Sequence, residues 1–207
     1  MGLLPSFAAM ASASLILFMG GAYCLKIARG EAHPPIATWI IFEIGVIMSL
    51  VTYLSAPSHD LVRNVANTTD CLAVTFILGT LIVKNRKEGI RFHPNEWICL
   101  AISAATFIAW LEVHMPLVGV GGFQVVMTVA YYPTYRRLWT WKRPGTPEPP
   151  SIWTAEMAAA ILGIYVAASG HDLLATLYPI RAMMMCSTVL VFIWILKRKQ
   201  RPMIALS

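Results

Sequence analysis

Two stretches of this chain resemble each other closely enough to indicate an internal repeat. The segment Tyr53–Leu61 (YLSAPSHDL) returns as Tyr165–Leu173 (YVAASGHDL). Each copy also has a Pro-Pro pair and a tryptophan upstream and a basic cluster downstream: Pro34, Pro35, Trp39 and Lys84 to Lys87 in the first copy, and Pro149, Pro150, Trp153 and Lys197 to Lys199 in the second. Such internal symmetry predicts two similar structural units within the chain.

The composition places these units in a membrane. Hydrophobic residues make up 57% of the chain and charged residues only 13%, whereas soluble domains carry about 25% charged residues. We therefore expect a lipid bilayer as the surrounding medium. The net charge of +6 comes from short basic clusters between apolar runs. That distribution is typical of membrane topology signals and argues against a nucleic-acid partner.

Seven apolar segments come close to the length of about 20 residues that a membrane-spanning helix needs. They are Leu4–Ile27, Pro35–Ser55, Leu61–Val83, Glu96–Leu111, Met115–Tyr135, Ser151–Ala168 and Leu173–Leu196. Each copy of the repeat holds three of them, and the fourth has no counterpart. A single linker helix gives two units of three spans the same orientation. We therefore expect an all-α membrane protein of seven transmembrane helices, with a first three-helix bundle at residues 1–93, a linker helix at 94–113 and a second bundle at 114–207.

Basic residues alternate between the two sides of the predicted membrane. They follow the first, third, fifth and seventh segments: Lys26 and Arg29, then Lys84, Arg86, Lys87 and Arg91, then Arg136, Arg137, Lys142 and Arg143, and last Lys197, Arg198, Lys199 and Arg201. Arg63 is the exception. Because cytoplasmic loops carry the excess of Lys and Arg, the pattern predicts a multi-pass protein of the inner or plasma membrane. Its N-terminus would lie outside, and its C-terminus and the Pro-rich linker Lys142–Pro150 would lie in the cytoplasm.

The end of the fifth segment carries a family resemblance. The run Ala130–Trp139 (AYYPTYRRLW) resembles the Pro-Gln or Pro-Thr signature of the SWEET and PQ-loop superfamily of small transporters, which share the 3+1+3 arrangement. The run Tyr165–Tyr178 is similar to the last hairpin of the related PnuC-type vitamin transporters. The resemblance implies transport, a proline hinge at Pro133 and a central cavity lined by polar residues of helices 3 and 7. The family's paired asparagines carry over only to helix 3, as Asn64 and Asn67.

Two ionisable residues lie at matching depths in the third and seventh segments. Asp70 and Arg181 are both near the middle of a predicted span, where a charge is costly unless it is paired or faces a wet cavity. One interpretation is a pair that lines a cavity and, together with Asn64 and Asn67, binds substrate. A solute with a carboxylate or phosphate would then suit Arg181. The other interpretation is a buried salt bridge that locks the two bundles together.

Further pairs of residues match between the copies. Glu43 and Glu156 follow Trp39 and Trp153 at similar spacing. Burial would let either carboxylate take up a proton, although a position near the cytoplasmic helix ends would instead leave it hydrated. The two tryptophans fit either a belt at the membrane interface or a platform on which a ring-shaped substrate stacks.

Several other functions are disfavoured by the sequence. Retinal attachment needs a lysine in the middle of the seventh helix, and no lysine lies between Leu173 and Leu196. No Walker loop, HExxH or GxSxG motif occurs, and the cysteines lack metal-ligand spacing, so we expect no enzyme activity, cofactor or metal. The main hypothesis is a transporter that moves a small polar solute by alternating access between the two bundles. The alternative is a non-transporting accessory or scaffold subunit of a larger membrane complex. Besides the solute and the bilayer, the partners that the sequence allows are a second copy of the chain or another membrane protein.

Overall fold

The described part of the chain is built of helices. The computed structural model describes residues 2–32, 34–57, 59–86, 92, 94–142 and 145–204, apart from the side chains of residues 95 and 201–204. The helices are α1 (Leu3–Arg29), α2 (Ile36–Leu54), α3 (Val65–Asn85), α4 (Pro94–Val113), α5 (Pro116–Ala130), α6 (Tyr132–Thr140), α7 (Pro150–Ser169) and α8 (Leu173–Ile204). No strand occurs among these residues. The predicted basic residues Lys87, Arg91 and Arg143 lie outside the described residues.

Six helices are long and apolar enough to cross a membrane. They are α1, α2, α3, α4, α7 and α8. The prediction of an all-α, multi-pass membrane protein is confirmed to that extent, because hydropathy alone marks each of these segments. The seventh span stays a prediction.

The predicted fifth span is divided into two helices. α5 has 15 residues and ends at Ala130, and α6 begins at Tyr132. The division falls at Tyr131, just before Pro133, which lies in the first turn of α6. A proline lacks the N–H for a helical hydrogen bond and its ring clashes with the preceding turn. The chain therefore starts a new helix at the proline, and α5 alone is shorter than the about 20 residues of a full span.

α3 begins at Val65, and not at Leu61 as predicted. A carboxylate oxygen of Asp60 accepts a hydrogen bond from the Val62 N–H at 2.8 Å. This side chain-to-backbone bond favours a turn over a helix at these residues. Asp70 therefore lies only about 8 Å along α3 from its start, closer to the helix end than the sequence indicated.

The helices pack in a pattern that runs between the two halves of the chain. α1 packs on α3 and α7, and α2 packs on α3 and α5. α8 packs on α7 and α5, while α4 lies against α5 and α2. The most extensive contacts between the halves are thus α1 with α7 and α2 with α5. We call the end of the bundle with Pro34, Pro35 and Pro149 the Pro-pair end. The end with Asp60 and Asp172 is the His-Asp end.

Small residues bring α5 close to α2. A Cβ atom added at Gly119 would lie 2.4 Å from Thr52 Cγ2 and 2.9 Å from a ring carbon of Trp110. Neither neighbour can give way freely, because Thr52 is buried at the contact with α5 and Trp110 belongs to α4. Glycine therefore allows the close approach of three helices, as small residues commonly do in membrane bundles.

We expect Gly119→Ala to destabilise the protein and Gly121→Ala not to. The added methyl group at position 119 overpacks the contact with Thr52 and should cost about 1–3 kcal/mol. A Cβ at Gly121 has no atom within 4 Å, so alanine there should leave stability unchanged or raise it by up to about 1 kcal/mol through helix propensity. Thermal unfolding in detergent compares the two variants. Equal unfolding temperatures for both would contradict the packing argument.

Candidate functional site

A narrow cleft lies between the two halves of the chain. It is bordered by α1, α2 and α3 on one side, and by α6, α7 and the loop before α7 on the other. It extends from the Pro-pair end inward to Asp70. Its volume of about 50 Å³ holds a few water molecules, but not an organic solute. Any larger ligand therefore requires the cleft to widen.

Aromatic rings form much of the cleft wall. The ring centroids of Tyr23 and Trp39 are 5.5 Å apart in the first half, and those of Tyr131 and Trp153 are 5.9 Å apart in the second. Phe42 joins the two pairs, since its ring meets Tyr131 edge-on at 4.9 Å. Both copies of the repeat therefore contribute one tyrosine and one tryptophan to the same cleft. This placement fits the stacking interpretation of the tryptophans.

Three carboxylates line the same cleft: Asp70, Glu148 and Glu156. Glu156 on α7 is 7% exposed, and its Oε2 has no hydrogen-bond partner among the described residues. Asp70 accepts a hydrogen bond from the Tyr178 hydroxyl. No Lys or Arg of the described part of the chain lines the cleft. The wall thus combines carboxylates with aromatic faces.

Glu148 covers the cleft at the Pro-pair end. Its carboxylate is ion-paired with Arg137 of α6 and accepts hydrogen bonds from the Tyr23 hydroxyl at 3.4 Å and from Trp153 Nε1 at 3.3 Å. The loop carrying Glu148 is also attached to α8, because Gln200 exchanges two hydrogen bonds with the backbone of Gly145, at 3.0 and 3.1 Å. Glu148 was not predicted as a site residue. The only sequence signal was its position directly before the second Pro-Pro pair.

A buried polar network lies next to the cleft and joins four helices. Arg181 Nε of α8 donates to Gln124 Oε1 of α5 at 3.0 Å. Gln124 Nε2 donates to Ser49 Oγ of α2 at 2.9 Å. The Asn67 amide of α3 contacts the same hydroxyl at 3.1 Å. These side chains are all buried, so the network stabilises one arrangement of the helices.

Asp70 and Arg181 were predicted to lie within direct or water-bridged reach of each other, and the direct contact is not formed. No ion pair joins them in the described structure. Tyr178 lies between them: its hydroxyl donates to Asp70, and the Arg181 guanidinium lies 4.7 Å from its ring centroid. Matching depth predicted the neighbourhood of the two charges correctly, but it carried no information about the tyrosine one helical turn before Arg181.

Of the predicted site residues, only Asp70 and Glu156 line the cleft. Asn67 and Arg181 belong to the polar network. Asn64 directly precedes α3. Its side chain is 2% exposed and has no hydrogen-bond partner among the described residues.

Glu43 and Pro133 also lie away from the cleft. Glu43 is half-buried between α2 and α3, where its carboxylate accepts a hydrogen bond from Thr75 Oγ1 at 2.6 Å. Pro133 borders a separate cavity of about 400 Å³ between α2, α4, α5 and α6. The proline hinge therefore stays a prediction that rests on the division of the helix. The matching sequence positions of Glu43 and Glu156 do not translate into matching surroundings.

At the His-Asp end, the two copies of the repeated motif meet. The Tyr53 hydroxyl of the first copy lies 2.7 Å from Asp172 Oδ2 of the second and accepts a hydrogen bond from the Asp60 N–H at 2.8 Å. Arg63 Nη1 donates to the Gly170 carbonyl at 3.1 Å. These contacts join the two halves of the chain across the end opposite to Glu148. The equivalent tyrosine of the second copy, Tyr165, is 46% exposed.

Tyr53→Phe should destabilise the protein, and the matched change Tyr165→Phe should not. Removing the Tyr53 hydroxyl leaves Asp172 and the Asp60 N–H short of a partner, at a cost of about 1–3 kcal/mol. Tyr165 makes no side-chain hydrogen bond in the described structure, so its phenylalanine variant serves as the control. Thermal unfolding in detergent measures both. A Tyr53→Phe protein as stable as the control would show that the contact contributes nothing.

These features describe an all-helical membrane protein with a cleft of aromatic and acidic side chains between its two halves. No group of three or more His, Cys, Asp or Glu side chains in the described structure is arranged to hold a metal ion. No protein-family model, curated protein or solved structure matches the chain.

Proposed function

We propose that this protein transports a small, positively charged solute by alternating access between two three-helix units. The observation that carries the proposal is Glu156: a buried carboxylate with an unbonded oxygen lines a cleft walled by the Tyr23–Trp39 and Tyr131–Trp153 pairs. Buried acidic groups in membrane helices commonly mark substrate or ion pathways.

The packing pattern supports a 3+1+3 arrangement. If α1, α2 and α3 correspond to α5 with α6, α7 and α8, then the contact of α1 with α7 corresponds to that of α2 with α5. The contact of α2 with α3 likewise corresponds to that of α7 with α8. Matching contacts of this kind are expected when two units are related by an approximate two-fold axis. Transporters built from such repeats bind substrate at the interface of the two units.

The cleft wall favours a cation over the anion that Arg181 alone would suit. Arg181 is bonded to Gln124 and stacked on Tyr178, outside the cleft. Asp70 and Glu156 place carboxylates inside it that can pair with a cation, and aromatic faces attract cations, with an energy that grows when water is excluded. A solute with a flat or compact cationic group fits both features.

The two ends of the bundle suggest how access would alternate. Tyr53, Asp172, Arg63 and Gly170 join the halves at the His-Asp end, and Glu148 covers the Pro-pair end. Because the cleft volume is about 50 Å³, a solute would enter only after Glu148 leaves its three partners. Movement of α6 relative to α5, at the division before Pro133, would widen the cleft on that side.

Uptake into proteoliposomes tests the proposal. The purified chain would be assayed with the permanent cations guanidinium, tetramethylammonium and choline, against lactate and glucose as the anionic and neutral comparisons. We expect uptake of at least one cation above that of protein-free liposomes, and none of lactate or glucose. Uptake confined to lactate or glucose would refute the charge argument.

The orientation follows from the basic residues and is a separate prediction. With the N-terminus outside and the C-terminus cytoplasmic, the Pro-pair end and Glu148 would face the cytoplasm. A tag at the C-terminus should be labelled only in permeabilised cells, and a tag at the N-terminus also in intact cells. C-terminal labelling of intact cells would reverse the assignment.

The small cleft also favours a second candidate, an accessory subunit that does not transport. Such a subunit needs no cavity for a solute, and the buried network around Ser49 would serve only to hold the helices together. Absence of uptake for all five solutes, together with stable co-purification of a membrane complex, would select this function.

A further inference from the structure

We propose that the groove between the ends of α6 and α8 binds the headgroup of an anionic phospholipid from the adjoining membrane leaflet. This basic groove is defined by Trp139, Trp141, Lys142, Phe192 and Lys199, and its volume is about 300 Å³. It lies at the Pro-pair end, outside the cleft, and the proposal does not depend on transport.

The groove has an apolar wall suited to the boundary between headgroups and acyl chains. Trp139 is 60% exposed, and its ring meets that of Phe192 edge-on at 6.0 Å. Leu138, Ile195 and Leu196 continue the wall toward the bilayer. Tryptophan at a helix end is typical of the membrane interface, where its ring contacts both the polar and the apolar part of a lipid.

Two lysines contribute the charge of the groove, and no carboxylate lines it in the described structure. The Lys199 ammonium lies 3.9 Å from the ring centroid of Trp139. Beside the groove, the Arg198 guanidinium lies 3.7 Å from the ring of Trp194. The indole faces hold these cations in place without neutralising them. Basic pockets between helices on the cytoplasmic side suit anionic lipid headgroups.

Two lysines at the ends of α1 and α3 differ from those of the groove, because they are bonded within the chain. Lys26 forms an ion pair with Glu31 at 3.4 Å, and Lys84 donates to the backbone carbonyl of Ile27. Lys142 and Lys199 form no ion pair among the described residues. Lys26 and Lys84 are thus bonded within the chain, whereas the two lysines of the groove are left for an outside anion.

Native mass spectrometry of the delipidated, full-length protein tests the proposal. The protein would be titrated with phosphatidylglycerol and, in parallel, with phosphatidylcholine. Each lysine near the surface contributes about fivefold to the affinity for an anionic lipid, so two should make the first phosphatidylglycerol bind roughly 20- to 30-fold more tightly than phosphatidylcholine. The double variant Lys142→Gln/Lys199→Gln should lose this preference, and Lys142→Arg/Lys199→Arg should keep it.

A charge-matched variant separates the groove from general electrostatics. Lys26→Gln/Arg29→Gln removes two positive charges at the end of α1 and should leave the lipid preference unchanged. An equal loss in both glutamine variants, or equal affinity of the wild-type protein for the two lipids, would overturn the proposal. Displacement of phosphatidylglycerol by millimolar inorganic phosphate would also overturn it, because the groove would then bind the free anion.

Discussion

Glu156→Gln is expected to abolish uptake of the transported cation without unfolding the protein. The change keeps the size of the side chain but removes the carboxylate that lines the cleft together with Trp153 and Tyr131. Loss of one partner of a buried charge pair costs about 2–5 kcal/mol of binding, which corresponds to at least roughly 30-fold in affinity. The measurement is initial uptake in proteoliposomes, with equal amounts of wild-type and variant protein.

Glu43→Gln is the matched control for this experiment. Glu43 holds the corresponding place in the first copy of the repeat, and one of its carboxylate oxygens is likewise unbonded, but the side chain is bonded to Thr75 and lies away from the cleft. The variant should therefore retain uptake. If Glu43→Gln abolished uptake while Glu156→Gln preserved it, the solute would pass along a different path and the cleft would not be the site.

The second large effect is expected for stability. Asp70→Asn should lower the free energy of unfolding by about 1–3 kcal/mol, because it replaces the buried carboxylate that accepts the hydrogen bond of Tyr178 beside Arg181. For a chain of this size, that loss corresponds to a decrease of roughly 2–12 °C in the unfolding temperature. Thermal unfolding in detergent measures the change.

A double-mutant cycle tests whether the two charges act together. Asp70→Asn/Arg181→Gln should lose less stability than the sum of the two single variants, with a coupling energy of about 0.5–3 kcal/mol. Tyr178→Phe removes the hydroxyl that bonds Asp70 but keeps the ring under Arg181. It should therefore reduce the coupling without abolishing it. Strictly additive losses would show that the charges are independent.

The membrane helices were predictable because the signal for them is local. A run of about 20 apolar residues has few other stable solutions, and at six of the seven predicted spans the structure has a helix long and apolar enough to cross a membrane. The division at Tyr131 also had a local cause, since Pro133 disfavours a continuous helix. The start of α3 was predicted wrongly although its cause is also local, because Asp60 accepts a hydrogen bond from the Val62 N–H in a turn that hydropathy cannot detect.

The candidate site was harder to predict because it depends on direction as well as depth. Counting residues along a helix gives the height of a side chain in the membrane, and this was enough to bring Asp70 near Arg181. It does not give the side of the helix that faces a partner, so Arg181 was expected in the cleft but lies against Gln124. Glu148 lies in a loop, where no periodicity exists from which its position could be inferred.

The bonds between Gln200 and Gly145 couple the last turns of α8 to the loop whose Glu148 covers the cleft. Glu148 lies three residues after Gly145, and both bonds to Gln200 are made by backbone atoms of that glycine. A force, a fusion partner or a binding protein that displaces this end of α8 would therefore also displace the loop that carries Glu148. Trp153 donates to Glu148, so the fluorescence of this indole would report the displacement without any added label in a variant whose other six tryptophans are replaced by phenylalanine.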